Sequence, residues 1–477
     1  MDDVRAVRWP TALVAVALAG CLLLTGCLGR PARVSDPRLN ADATSVTLTI
    51  ASNAIVGGKN ASTAAWITEY VIPRFTEMEK AKGVTVHLRF LGDGSDDGSY
   101  LQKQILQLRT GGGGDIFDID GTDVGNFAES WLIRPLDEVV GASTVAAWNG
   151  WSQIYPTVRQ LDRFRGQDYG IPVGTDGRVL FYNKTLFARA GLPTDWQPHS
   201  WADILDAATR LATLPGVTPL QIAGGTAMAE TTTINGFLPL LAGAGAAIYA
   251  DGKWQGNTAA LRAALGFYQQ IFARRLADPV LDEETQGRDQ SFAEFAANRI
   301  GIYLESDYMW RGILSPTVGN DPMPDRNSTV GYAQIPAMNP GSGVNGQDYI
   351  SYSGGAVRLI NPNTAYPQQA WELLTFMNSA AALEAYEQKY LGSATQIMPR
   401  TDVNNALLTS EPLMNYIATN VLPHTLFRPS EGAYTRVSAL IRQATSDVIA
   451  GQSPDTAAAA YTRKLADIVG RDHVVDN

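Results

Sequence analysis

Two short clusters of charged side chains have the types and spacing to act on a polar molecule. The stretch DIFDIDGTD ends in Asp120, Thr122 and Asp123, and a second cluster places Asp176 two residues before Arg178. Carboxylates accept hydrogen bonds from hydroxyl groups, and a pair of them roughly 5–9.5 Å apart can hydrolyse a glycosidic bond. Alternatively, Asp176 and Arg178 pair only with each other, and the aspartates of the first cluster are ordinary turn residues.

Other catalytic and metal chemistry finds little support. The four histidines lack HExxH or any other ligand-like spacing, which argues against a zinc enzyme. Neither GxSxG nor GxxxxGK[ST] occurs, so neither a nucleophile elbow nor a P-loop is indicated. Residues 93–104 begin like a calcium loop at Asp93 but end in Gln104, where that loop needs a bidentate glutamate. We predict neither a metal nor a cofactor.

Both cysteines lie within the first thirty residues. An uncharged run from Thr11 to Leu24 follows two arginines and leads through small residues to Cys27. This pattern is typical of a secretory signal, because the run is shorter than the ~20 residues of a membrane span. The sequence Leu-Thr-Gly-Cys resembles the lipobox of bacterial lipoproteins, which implies a signal peptide at residues 1–26 and lipidation of Cys27. An ordinary signal peptide with a spare thiol is the alternative.

The composition describes an exported protein that is stabilised by its core. After cleavage only Cys27 would remain, so no disulfide could form. The 477 residues, 45% of them hydrophobic, suffice for two or three domains. A net charge of −10 and a pI near 5.0 argue against nucleic acid as a partner. The polar stretch 27–43 is predicted to be a flexible tether.

Strands and helices alternate along the rest of the chain. Val46–Ser52, Val84–Leu91 and Asp115–Asp120 have strand-like apolar patterns, and helices are predicted to begin near Ser62 and to span Tyr100–Arg109. This βαβαβ order predicts a parallel sheet whose ligands lie beyond the carboxyl ends of its strands. Further helices are predicted at 258–272, 367–377, 434–450 and 454–468.

The most informative stretch is YGIPVGTDGRVLFYNKTLF, residues 169–187. It resembles the signature of bacterial extracellular solute-binding proteins of the maltose-binding type (family 1), although Gly174 and Arg189 depart from the usual pattern. Four further segments follow that family's order: DIFDIDGTDVGNFAESWLIRPL (115–136), LESDYMWRGI (304–313), GGA (354–356) and FRP (427–429). The resemblance covers residues 45–470.

The resemblance implies an α/β periplasmic-binding-protein fold of type II, with two discontinuous lobes and a hinge. Motif positions place lobe 1 at 44–174 and 338–385, and lobe 2 at 175–337 and 386–477. Ligand would bind in the cleft, and the lobes would close around it. The permease subunits of an ABC importer would recognise the closed form. We expect a monomer, lipid-anchored through Cys27 at the extracytoplasmic face of the bacterial membrane.

The resemblance also assigns candidate cleft residues. Asp176 occupies the place of a sugar-binding carboxylate, beside Arg178, and Tyr308 that of the main stacking aromatic residue. Trp310 would face the same side as Tyr308 in an extended segment, although core packing is the alternative. The other candidates are Asn53, Asp120, Thr122, Asp123, Thr233, Asn235, Glu305, Asp307, Gly355, Arg428 and Tyr434.

The predicted function is therefore capture of a di- or oligosaccharide without covalent chemistry. One alternative keeps the fold and binds a glycerophosphodiester or another small polar solute, which would need Arg178 and Arg428 to converge on an anion. Another is an extracellular carbohydrate-active hydrolase that uses Asp176 and a carboxylate of residues 115–123.

Overall fold

The computed structural model of the protein describes residues 36–392 and 395–476. Cys27, the predicted signal peptide and most of the predicted tether lie outside the described residues. Within them the chain forms two α/β lobes, as predicted, each with its own sheet and flanking helices. No helix in these ranges is both long enough and apolar enough to cross a lipid bilayer.

Two main sheets carry the fold. Their strands are β1 (Ser45–Ser52), β2 (Thr85–Gly92), β3 (Ile116–Asp120), β4 (Gly170–Pro172), β5 (Arg178–Asn183), β6 (Thr218–Gln221), β7 (Ile300–Ser306), β8 (Val330–Ala333) and β9 (Ala356–Ile360). The first sheet has the order β2-β1-β3-β9-β4, and the second β8-β5-β7-β6. The short strands are Arg163–Phe164, Gln167–Asp168, Tyr249–Ala250, Lys253–Gln255, Ile335–Pro336, Tyr349–Ile350, Tyr352–Ser353, Leu426–Phe427 and Val474–Val475.

Helices cover both sheets. The α-helices are Ala61–Trp66, Ile72–Ala81, Asp97–Arg109, Val124–Glu129, Leu136–Val140, Ala142–Ala146, Lys184–Arg189, Trp201–Leu211, Glu230–Thr232, Leu238–Gly243, Ala259–Ala273, Pro279–Glu283, Gly287–Ala296, Arg326–Thr329, Pro367–Met377, Ala380–Ala385, Thr401–Leu407, Pro412–Tyr416, Tyr434–Ile449 and Pro454–Val469. Wider π-helical turns occur at Ile67–Val71, Thr233–Phe237, Met309–Ile313, Tyr386–Leu391 and Ile417–Val421. The later helices agree with the predicted ones to within one residue.

In the first sheet, β1 runs parallel to β2 and β3, as predicted. Val46, Leu48 and Ile50 are buried because alternate residues of β1 face the core. Strand β9 runs antiparallel to β3 and places Ala356 opposite Asp120. The carboxyl end of β3 and the start of β9 therefore meet at one edge of the sheet.

In the second sheet, β5 lies between β7 and β8 and is buried along its whole length. Its run of apolar residues reflects this central position, since neither of its faces meets water. Strand β7 is antiparallel to β5 and pairs Ser306 with Arg178. The end of β7 and the start of β5 thus share an edge, where residues 305–307 approach residues 176–178.

The chain passes from the first lobe to the second at residues 173–177, between β4 and β5, and returns just before β9. The sequence analysis assigns residues 338–353 to the first lobe. Here Tyr349–Ile350 pairs with Ile335–Pro336, and Ile350 and Tyr352 join the second lobe's core. Residues from 395 to 424 pack in a hydrophobic core that contains residues of both sheets, so their assignment to lobe 2 stays a prediction. Turn signals in the sequence located the motif at which the chain returns to the first lobe. The exact point at which the chain passes between the lobes depends on strand pairing.

Candidate ligand-binding cleft

The residues after β3 border the cleft on the first lobe. Asp120 Oδ1 accepts hydrogen bonds from the backbone N–H of Thr122 at 2.9 Å and from its hydroxyl at 2.7 Å. Asp120 and Thr122 therefore form an ordinary turn, as in the alternative interpretation of this cluster. Both contacts use Oδ1, so Oδ2 of Asp120 can accept from another partner. Burial, and then repulsion from Asp120, raise the pKa of Asp123 to about 7, although Arg428 opposes the shift. Near neutral pH, Asp123 can therefore either donate or accept a hydrogen bond.

Arg428 connects the two lobes. Its Nη2 lies 3.4 Å from Asp120 Oδ1 in the first lobe, and its Nη1 lies 3.4 Å from Glu230 Oε2 in the second. Its Nε is buried without a hydrogen-bond partner in the described structure. Charge-assisted hydrogen bonds are normally about 2.7–2.9 Å long, so these contacts are loose. The guanidinium group keeps donor capacity for a bound molecule.

Glu230 is held by hydroxyl groups of the second lobe. Tyr434 donates from its phenol to Oε2 at 3.2 Å, and Ser438 donates to Oε1. The Thr233 hydroxyl lies 2.9 Å from that of Ser438 and is fully buried, so it supports Glu230 from behind. Ala229, just before Glu230, has a φ of 50°, which is a strained conformation for alanine. The carboxylate is thus held in one direction, towards Arg428.

Asp176 lies where the chain enters the second lobe. The backbone N–H of Gly354 donates to its Oδ1 at 2.6 Å, and Arg178 Nη1 donates to the same oxygen. Burial alone would raise the pKa of Asp176, but Arg178 and the Gly354 N–H outweigh burial and hold it below the ordinary value. Asp176 keeps 24% of its side chain exposed. The predicted ion pair with Arg178 therefore exists and does not cover the carboxylate.

A buried chain of hydrogen bonds runs from Asp176 into the second lobe. Arg178 Nε donates to Asn235 Oδ1 at 2.8 Å, and Asn235 Nδ2 donates to Glu305 Oε1 at 2.5 Å. Glu305 is fully buried and is held by Arg288 through two hydrogen bonds of 2.8 and 2.9 Å. The side chains of Arg178, Asn235 and Glu305 hydrogen-bond to one another. Their role here is therefore to position Asp176 and Arg288.

Tyr308 follows strand β7 of the second lobe by two residues and is 36% exposed. The guanidinium carbons of Arg288 and Arg311 lie 5.6 and 5.5 Å from the ring centroid, within cation–π range. Arg311 also donates to Asp307 Oδ2 at 2.9 Å, and the backbone N–H of Gly177 donates to Oδ1 at 3.0 Å. Burial outweighs Arg311 and raises the pKa of Asp307, whose carboxyl is fully enclosed.

The expectation that Trp310 faces the same side as Tyr308 is wrong. Strand β7 ends at Ser306, and a helical turn begins at Tyr308, so residues two apart point in nearly opposite directions. Trp310 is only 6% exposed and packs under Arg326, whose guanidinium carbon lies 4.2 Å from the indole centroid. Trp310 is therefore a core residue, as in the alternative interpretation.

Two further candidates, Asn53 and Gly355, contact other protein groups. Asn53 Nδ2 donates to Asp97 at 2.9 Å, and Lys59 also pairs with Asp97, at 2.8 Å. Gly355 allows close backbone packing: a Cβ there would lie 2.2 Å from the carbonyl oxygen of Gly174. Asn53 is half-buried at the carboxyl end of β1, and its ligand contact stays a prediction, as it does for Gly355.

The lobes touch directly beside the site. The loop 428–433 leaves the second lobe and lies on helix Val124–Glu129 of the first. A Cβ on Gly125 would be 1.5 Å from the Ser430 carbonyl oxygen, and one on Gly432 would be 2.5 Å from Glu129 Oε2. The Gly125 contact requires glycine because its neighbour is backbone, whereas the Glu129 side chain opposite Gly432 could move aside.

Sequence reasoning missed Arg288 and Arg311 as members of the site. Arg311 could have been found, because it follows Asp307 by four residues, a spacing that pairs charges on a helical turn. Arg288 lies on a separate helix, and no local sequence pattern indicates that it contacts Glu305 and Tyr308.

In the loop that begins like a calcium loop, protein groups contact Asp93. Lys103 Nζ lies 2.7 Å from Asp93 Oδ2, while Ser95 donates to Oδ1. Among the described residues, no group of three or more His, Cys, Asp or Glu side chains is placed to hold a metal ion.

Known structures share this two-lobed architecture. A solute-binding protein of an ABC transporter from Thermotoga lettingae, bound with alpha-D-tagatose, is 23% identical with a TM-score of 0.65 and covers 89% of this chain and all of its own. The sugar-binding protein MalE from Xanthomonas citri is 17% identical with a TM-score of 0.69 and covers 89% of this chain and 98% of its own. These similarities establish the fold.

Sequence comparisons point to the same group of proteins. The sn-glycerol-3-phosphate-binding periplasmic protein UgpB of Escherichia coli K12 is 29% identical over 113 residues, which are 23% of this chain and 25% of that protein. The alignment thus spans only a quarter of that relative. The family described as bacterial extracellular solute-binding protein matches residues 59–384, well over half of the chain. The chain therefore belongs to the bacterial extracellular solute-binding proteins.

Proposed function

We propose that this protein is the lipid-anchored binding subunit of an ABC importer, which captures a di- or oligosaccharide in the cleft and delivers it to the permease. The observation that carries the proposal is the set of polar groups that converge from both lobes. Asp120 and Asp123 face Glu230 and Asp176 across the loosely held Arg428. With the exposed ring of Tyr308, this set matches the acceptors, donors and aromatic face that a sugar needs.

Thermal unfolding tests the proposal directly. The purified full-length protein would be heated with mono-, di- and oligosaccharides and, separately, with glycerol phosphate and glycerophosphodiesters. A ligand at 100 times its Kd stabilises the native state by about 2.7 kcal/mol. We expect one sugar class to raise Tm, and Asp176→Ala and Tyr308→Ala to lose the shift. If no sugar raises Tm, the carbohydrate proposal fails.

A phosphorylated solute is the second candidate, and the loose contacts of Arg428 favour it. A phosphate group could take the guanidinium donors that Asp120 and Glu230 hold at 3.4 Å. The partial similarity to a glycerol-phosphate-binding protein adds to this candidate. The surrounding carboxylates weigh against a dianion, which is why a neutral sugar is proposed first. A rise in Tm with glycerol phosphate and with no sugar would make the phosphorylated solute the first candidate.

The hydrolase alternative has its own readout. A carbohydrate-active hydrolase would release new reducing ends from a glycan, whereas a binding protein returns the glycan unchanged. The incubated sugars of the thermal series would therefore be assayed for reducing ends, and we expect none above the buffer control.

Anchoring is proposed from the lipobox-like segment. Cells that express the native chain should retain the protein in the membrane fraction, and Cys27→Ser should move it to the soluble extracytoplasmic fraction, because two or three acyl chains are needed for firm attachment. Equal distribution of the two proteins would refute the anchor.

A further inference from the structure

A groove of about 500 Å³ lies at the seam between the lobes, on the far side of loop 428–433 from the cleft. This volume is within the range of about 300–1,000 Å³ that small-molecule sites occupy. The first lobe contributes Glu129 and Arg165, and the second contributes Tyr249, Glu431 and Arg436. Because the walls come from both lobes, the shape of the groove depends on how the lobes are arranged.

The groove has the chemistry of a site for hydroxyl-rich molecules. Arg165 Nη2 pairs with Glu129 Oε1 at 2.7 Å, and both side chains stay partly exposed. Glu431 faces this pair: burial first, and then Glu129, raise the pKa of Glu431, while Arg165 lowers it. The ring of Tyr249 packs on Trp254 with centroids 4.8 Å apart and stays half-buried. Carboxylates, a guanidinium and an aromatic wall can bind sugar hydroxyls and a sugar's C–H face.

The groove and the cleft share their structural supports. Helix Val124–Glu129 begins beside Asp123 in the cleft and ends at Glu129 in the groove. Loop 428–433 likewise has Arg428 on the cleft side and Glu431 on the groove side. The Gly125–Ser430 contact lies on the same seam, since Ser430 falls between Arg428 and Glu431 in the loop. An occupant of the groove would hold the same two elements together that a ligand in the cleft holds.

We propose that this groove is a second glycan-binding site, which takes one or two sugar units and favours the arrangement of the lobes described above. The inference rests on the proposed carbohydrate function. The sugar units could be the outer part of an oligosaccharide bound in the cleft or a separate sugar molecule. A chain that bridges the two spaces gives one sugar molecule per protein, whereas a separate sugar gives two.

Calorimetric titration of the full-length protein with maltose, maltotetraose, maltoheptaose and the best sugar of the thermal series tests this site. Arg165→Ala and Tyr249→Ala are the groove variants, Asp176→Ala is the cleft variant, and Arg109→Ala, an exposed arginine of the first lobe, is the matched control. We expect the groove variants to weaken the longest sugar, or the second of two binding events, at least tenfold. The smallest ligand should stay within about twofold of the wild-type affinity, a ratio worth ~0.4 kcal/mol.

The outcomes separate the two proposals. Groove variants that match Arg109→Ala for every sugar, while Asp176→Ala abolishes binding, would overturn the second site alone. A wild-type protein that binds no sugar would overturn both. Because Arg165 is 68% exposed, Arg165→Ala is expected to fold normally, and an unchanged unliganded Tm checks this.

Discussion

Replacing Arg428 by alanine is expected to weaken ligand binding at least 100-fold while leaving the unliganded stability almost unchanged. Loss of one member of a desolvated charged contact typically weakens binding by about 2–5 kcal/mol. In the free protein the loss is small, because Asp120 keeps its bonds from Thr122 and Glu230 keeps those from Tyr434 and Ser438. Titration with the solute that raises Tm most, together with thermal unfolding of the free variant, measures both effects.

Two further variants sharpen this result. Arg428→Lys should recover part of the affinity, because lysine restores the charge without the planar donor pair. Arg463→Ala removes an exposed arginine of helix Pro454–Val469 and should match the wild type. Wild-type affinity in Arg428→Ala would mean that the ligand binds elsewhere, and equal losses in Arg428→Ala and Arg463→Ala would point to an unspecific effect of net charge.

Glu305→Ala is expected to be the most destabilising substitution considered for the second lobe, at about 3 kcal/mol. Removing one member of a buried ion pair leaves the other without compensation, which typically lowers stability by ~3–5 kcal/mol. Asn235, the Ser306 N–H and Arg288 would all lose an acceptor. The lower end applies because Arg288 keeps 31% of its side chain exposed. Urea unfolding followed by far-UV circular dichroism gives the free energy.

Glu294→Ala is the matched control for Glu305→Ala. Glu294 also pairs with an arginine, Arg299, but on the surface, where such pairs contribute about 0–1 kcal/mol. Glu305→Gln should fall between the two, since an amide keeps the acceptor for Asn235 and loses the charge. A loss below 1 kcal/mol for Glu305→Ala would show that the hydrogen-bonded chain does not depend on this carboxylate.

Local sequence patterns predicted the helices and strands better than they predicted which partners the side chains contact. The alternating residues of β1 and the apolar run of β5 were sufficient to place those strands, because burial of one or both faces determines such patterns. Asp120 was proposed from a strand end, and Asp176 and Arg428 from the family resemblance; the structure brings the three side chains close together, and their contact with a ligand stays a prediction. Whether Arg178 points at a ligand or at Asn235 depends on a partner 57 residues away, and no local pattern records that.

The Tyr308–Trp310 error has the same physical origin. Where an apolar strand continues into aromatic residues, the hydrophobic periodicity does not distinguish a strand from a helix. Such a segment is therefore easily taken as extended. The change to a helical turn at Tyr308 depends on tertiary contacts, such as the packing of Trp310 under Arg326. Similarly, Ile350 and Tyr352 pack in the second lobe's core beside a separate two-stranded sheet, and such short strands leave little trace in sequence.

The π-helical turns give this cleft an unusual route to new specificity. Thr233–Phe237 carries Asn235, and Met309–Ile313 carries Trp310 and Arg311 directly after Tyr308. A π-turn holds one residue more than an α-helical turn, so deleting one of its residues can restore a regular helix between the same flanking elements. A single-codon deletion between Asp307 and Arg311 would shorten their spacing from four residues to three, and so re-aim Arg311 while leaving the sheet intact. Lineages of this chain could change ligands through length variation as readily as through substitution.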